Sequence, residues 1–72
     1  MFYRANNKIV SINNVKEITL QTFGSGAKSN PFQYTIRIDY FGEENVFLEF
    51  HSNKALAEQT LEEIFEILTK TP

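Results

Sequence analysis

The amino-acid sequence predicts an α+β domain: an antiparallel β-meander of four to five strands with one C-terminal α-helix packed across one face. Three observations predict it. Apolar and polar residues alternate in successive runs between residues 16 and 51, which is the period of strands with one buried face. After Phe50 the apolar spacing becomes helical and stays so to the end of the chain. The chain has 72 residues, room for one domain spanning 1–72 and no second.

The first fourteen residues place Asn6-Asn7 and Asn13-Asn14 on either side of Lys8-Ile9-Val10-Ser11-Ile12. Asparagine tolerates the positive φ of tight turns, so this segment predicts one or two short strands. From Lys16 to Phe23, Ile18, Leu20 and Thr22 alternate with Glu17, Thr19, Gln21 and Phe23, a strand rich in β-favouring residues. Gly24-Ser25-Gly26-Ala27-Lys28-Ser29-Asn30-Pro31 follows, a composition that cannot hold a ladder and predicts a mobile loop. Tyr34, Ile36, Ile38 and Tyr40 alternate with Thr35, Arg37 and Asp39. Val46, Leu48 and Phe50 then alternate with Phe47, Glu49 and His51. Gly42-Glu43-Glu44-Asn45 between these two runs supplies a turn, so they predict a hairpin. From Asn53 to Lys70 no Gly or Pro interrupts a helical pattern. Ser52 or Asn53 is placed to cap its first amides, Lys70 suits the negative end of the macrodipole, and Pro72 cannot extend it.

Composition narrows the functional classes. There is no cysteine, hence no disulfide and no thiolate metal site. Stability in so short a chain then rests on packing and, as an expectation, on a partner subunit. The formal charge of -2 gives no overall positive field for phosphate backbones or anionic lipid. No long apolar stretch follows the N-terminus, so neither a signal peptide nor a membrane span is drawn, and the expectation is a cytoplasmic protein whose mature form is the whole chain.

The leftover apolar surface is the most informative functional feature. Projected on a helix, Ala57, Leu61, Ile64, Phe65 and Leu68 form one stripe, and Leu56, Thr60 and Ile67 an adjacent one. That arc is wider than a single seam: Leu56 and Ile67 either pack along the flank of a twisted sheet or face another subunit. The sheet face away from the helix should carry Thr19, Gln21, Thr35, Arg37, Asp39, Glu49 and His51, an ordinary solvated surface that Phe41, Phe47 and Phe23 interrupt. Phe41 and Phe47 flank one turn. As cross-strand neighbours they would form an exposed aromatic patch; otherwise the turn or the Phe2-Tyr3 segment folds over them as a small core. The candidate interaction surface is therefore Phe41, Phe47, Leu56 and Ile67.

Chemical motifs are sparse. Gly24-Ser25-Gly26 with Lys28 and Ser29 lacks the spacing of a P-loop and leads into a strand, not a helix. His51 is the only histidine, so a multi-histidine metal site is impossible within one chain. Glu58, Glu62, Glu63 and Glu66 mark a solvent face of the helix. No catalytic, cofactor-binding or metal-ligating residues are assigned. The basic residues are dispersed, although Arg4, Lys8 and Arg37 are candidates for a local patch.

The run from Lys8 to Ile18, followed by a hairpin and a terminal helix, resembles uncharacterised small β-meander-plus-helix proteins of bacteria and their phages. Its start is similar to the short motility proteins of the SwrD type. The resemblance implies a bacterial origin and carries no site residues with it. The expectation is a noncatalytic protein-interaction module, not an enzyme, that forms homo-oligomers or binds a protein partner without cofactor or membrane. The runner-up is a regulatory accessory protein acting on nucleic acid or its machinery.

Overall fold

The computed structural model describes residues 2–5 and 8–70, and over them the chain is the α+β fold that the periodicities predict. Five antiparallel strands precede one helix: β1 (Phe2–Ala5), β2 (Lys8–Ser11), β3 (Val15–Phe23), β4 (Gln33–Tyr40), β5 (Asn45–Glu49) and α1 (Lys54–Lys70). The strands do not make one meander. They form two sheets, a β1-β2 hairpin and a three-stranded β3-β4-β5 sheet. The turn predicted at Asn6-Asn7 and the stop predicted at Pro72 lie outside the described residues.

The register explains the alternation. Ile18 faces Ile38, Leu20 faces Ile36, and on the other side of β4 Ile36 faces Leu48 and Ile38 faces Val46. These residues share one sheet face, and Ile36, Ile38 and Leu48 are almost wholly buried there. Val15, opposite Tyr40, joins the same face because the ladder shifts by one residue between Val15 and Glu17. A β-bulge at Lys16 thus lets two consecutive polar residues lie outward without turning the apolar ones out of the core.

Helix α1 lies against β4 and β3, and the N-terminal hairpin takes up the remaining inner surface. Ala5 and Val10 join Ile36, Ile38, Leu48, Phe50, Ala57 and Ile64 in one core cluster. Three polar contacts hold the hairpin in place. The Tyr3 hydroxyl bonds the Glu63 carboxylate of α1. Tyr40 donates its hydroxyl to the Ser11 carbonyl at 2.5 Å, and Lys8 Nζ donates to the Phe47 carbonyl at 3.0 Å. Burial raises the Tyr3 phenol to a pKa of about 12, with the Glu63 contact adding to it, and the same bond holds Glu63 below its ordinary range. Burial, aided by Glu44, likewise raises Tyr40.

The connections follow local chemistry. Asn14 adopts φ 60° between β2 and β3, as the asparagine pair predicts. The glycine loop closes on itself: Ser25 and Gly26 donate to the Asn30 carbonyl, and Asn30 donates back to Ala27. At Gly24, with φ +97°, a Cβ would stand 2.3 Å from the Pro31 carbonyl oxygen, so the loop needs glycine there. Leaving β5, Phe50 donates to the Tyr34 carbonyl while Tyr34 donates to the carbonyl of the next residue, His51. His51 has φ 51°, and this bend releases the chain from the sheet toward α1. Asn53 is the cap, its Oδ1 accepting from the Leu56 N–H at 3.0 Å.

The helix buries a different line from either predicted stripe. Ala57, Thr60 and Ile64 are buried, while Leu56, Leu61 and Leu68 pack at the flanks. Phe65, expected in the core stripe, is 60% exposed. One residue beyond Ile64, it lies about 100° around the helix, past the edge of the narrow sheet.

Candidate interaction surface

The phase of the β4-β5 ladder determines what β5 presents outward. In an antiparallel pair, every second residue directs both backbone groups at its partner strand, and the residues between direct them away. Phe50 bonds Tyr34 and Tyr40 bonds Glu44 across this ladder, which assigns the even-numbered residues of β5 to β4. Asn45, Phe47 and Glu49 therefore direct their N–H and C=O groups away from β4. The Lys8 contact to the Phe47 carbonyl agrees independently, since the ammonium approaches from that side. Among the described residues, no strand pairs with this side of β5, where the sheet order ends.

A groove of about 810 Å³ runs along this edge, between the sheet, the N-terminal hairpin and the start of α1. Ala5 and Lys8 line it from the hairpin, Phe47 and Glu49 from the edge, Asn53 and Leu56 from the helix. Phe47 is 42% exposed, and Arg37, its cross-strand partner, has its guanidinium carbon 6.0 Å from the ring centre. Arg37 Nε also bonds Asp39 Oδ1 at 2.9 Å, so the ring, the cation and the carboxylate form a row on the outer face.

The fold brings together two of the four candidate residues. Phe47 and Leu56 line the same groove. Ile67 is half-buried and stands eleven residues beyond Leu56, about 16 Å along the helix axis. Phe41 is 67% exposed, but it belongs to the hairpin turn, with its N–H bonded to Asn14. It is not the cross-strand neighbour of Phe47, whose partner is Arg37. The Tyr40-Glu44 bond closes the ladder and leaves Phe41 outside it.

Two further features lie outside the predicted set. Phe23 lines a hollow of about 440 Å³ on the outer face with Gln33, Thr35, Phe47, Glu49 and His51, so the groove's aromatic surface continues across the end of the sheet. Phe65 lines a hollow of about 510 Å³ with Ile18, Leu61 and Leu68, between α1 and the β3 edge. Of the candidate basic patch, Lys8 and Arg37 both engage Phe47, while Arg4 is exposed on the hairpin opposite Ile9. Among the described residues, no helix is long and apolar enough to cross a membrane, and no three His, Cys, Asp or Glu side chains are grouped to hold a metal ion. Comparison with protein-family models, with curated proteins and with solved structures finds no match for this chain.

Proposed function

We propose that this chain is a noncatalytic protein-interaction module that self-associates, and that the open edge of β5 is its contact surface. The observation that carries the reading is the half-exposed aromatic ring of Phe47 on an edge strand whose Asn45 and Phe47 backbone groups are directed away from β4, beside an apolar groove wall at Leu56. An exposed edge is a template for another strand, and main-chain hydrogen bonds supply affinity while flanking side chains supply selectivity. The nucleic-acid reading has less to rest on, since the Arg37 charge is paired with Asp39 and stacked on Phe47. A bacterial cytoplasm is the setting we assign, following the sequence resemblance.

Analytical ultracentrifugation from low to high micromolar concentration tests this reading. Wild type should show reversible self-association. Asn45→Pro removes one outward N–H and no bond to β4, and Phe47→Asp places a charge beside the edge. Both should remain folded by circular dichroism and weaken association at least about tenfold, the loss expected from one or two interfacial hydrogen bonds. A wild-type chain that stays monomeric throughout the range removes the reading.

A further inference from the structure

We propose that the hollow between α1 and the β3 edge is a second docking site, which takes an extended peptide segment of a partner protein whose apolar residues alternate with lysines or arginines. Among the described residues, no strand pairs with the outer side of β3, where the sheet order ends. Glu17, Thr19 and Gln21 pair with Asp39, Arg37 and Thr35 of β4, and the ladder phase directs the N–H and C=O groups of Ile18, Leu20 and Thr22 away from it. Ile18 and Leu20 are only partly buried. Beside Ile18, Leu61 and Phe65 of α1 wall the hollow of about 510 Å³, and the Phe65 ring is mostly exposed. An edge strand with an apolar trough along it lets a strand-like peptide gain main-chain hydrogen bonds and side-chain contacts together.

Side-chain direction and charge identify the occupant. Residues opposite one another in a ladder share a sheet face. Peptide residues opposite Ile18 and Leu20 therefore turn inward, toward Leu61 and Phe65, where apolar side chains fit. The peptide residues between them turn outward, on the face that carries Glu17. Glu62 lies on the helix side of the hollow, and Glu58 stands one turn before it on the same side of α1. Lys16 lines the hollow at the bulge, and Glu17, Glu58 and Glu62 outnumber it, so the trough attracts cations. A second copy of this chain is disfavoured as the occupant. Pairing β3 with its own image lays two α1 helices side by side over the joined sheet and sets one acidic flank against the other. A single basic strand avoids that repulsion and needs no room for a second helix. The site is separate from the β5 edge, which lies on the far side of β4.

Calorimetric titration of the full chain with the blocked peptide Lys-Val-Lys-Val-Lys-Val-Lys tests the proposal, with Glu-Val-Glu-Val-Glu-Val-Glu as the charge-reversed comparison. The basic peptide should bind saturably, at least about tenfold more tightly than the acidic one, and more weakly as salt rises. At saturation, amide hydrogen exchange at Ile18, Leu20 and Thr22 should slow at least about fivefold, while that at Phe47 stays unchanged. Thr22→Pro removes one outward N–H and no bond to β4, and should weaken binding about tenfold. Phe65→Ser should do the same, and because it alters an exposed ring it keeps the test independent of any folding loss at Thr22→Pro. Phe47→Asp should bind the peptide as wild type does. Equal affinity for the two peptides, slowed exchange at Phe47 in place of the β3 amides, or no saturable binding up to about 1 mM would each overturn the proposal. None of these results bears on self-association through β5, which sedimentation reads separately.

Discussion

The two outer strands of the central sheet expose the same kind of backbone groups and are guarded in opposite ways. On β3, the ladder phase sends Glu17, Thr19 and Gln21 toward β4, so the outward N–H and C=O groups belong to Ile18, Leu20 and Thr22. The side chains of Ile18 and Leu20 are packed toward the core, with Leu61 and Phe65 of α1 alongside Ile18. A bulge at Lys16 bends the start of this edge. On β5, the outward groups belong to residues whose side chains lie on the outer face, and the Lys8 ammonium, from another element, covers the Phe47 carbonyl. A bulge and a neighbouring helix are built into the fold, whereas a lysine on a flexible stem can swing aside. Under the proposed self-association, the difference favours β5 over β3 as the pairing edge.

The largest expected effect tests the ladder phase on which this comparison depends. Leu48→Pro removes a backbone N–H aimed at β4 and empties a buried site, and should cost more than about 3 kcal/mol in urea denaturation. Asn45→Pro, at the first residue of β5, removes an N–H directed away from β4 and should cost less than about 1 kcal/mol. Equal losses at the two positions would mean that β5 is turned the other way in its ladder.

A second pair separates what α1 buries from what it leaves out beside β3. Leu61→Asp places a carboxylate among residues packed on the core and should cost about 2–4 kcal/mol, enough to unfold much of a small domain. Phe65→Asp alters a side chain that is 60% exposed and should cost less than about 1 kcal/mol. A loss at Phe65→Asp as large as that at Leu61→Asp would put the ring back in the core, where the helical periodicity alone assigns it.

Periodicity made the strands and the helix readable because each apolar residue must choose a face. Ile36, Ile38 and Leu48 declare theirs by simple alternation, and Asn53 announces the helix start by its chemistry. The division into two sheets was hidden, since Lys8 to Ser11 reads as a strand whichever neighbour it takes. Phe65 was misassigned because helical spacing marks an apolar arc but not the width of the sheet beneath it. The candidate surface was partly legible: Phe47 stood out as an aromatic residue at a polar position. The edge itself had no signature. Which strand is outermost depends on pairing between distant segments, and the direction of a backbone N–H depends on a register set by the turn at Gly42.

The smallest effect concerns the hairpin that supplies Lys8, and it is read by pH. Tyr3 fastens this hairpin to α1 by donating to Glu63, which only the neutral phenol can do. Its pKa stands at about 12 in the folded chain against an ordinary 10.0, so the neutral form is favoured by folding. The contribution is therefore complete below pH 10 and is lost as pH rises from about 10 to about 12. Glu63 has the opposite sign: its lowered pKa means that its share is present at neutral pH and fades as pH falls through the carboxylate range. Tyr3 is only partly covered, so its contribution should be about 1 kcal/mol or less after solvent screening. Absorbance at 295 nm should show a tyrosine transition near pH 12 that Tyr3→Phe removes. The same variant should flatten the pH dependence of stability between pH 10 and pH 12.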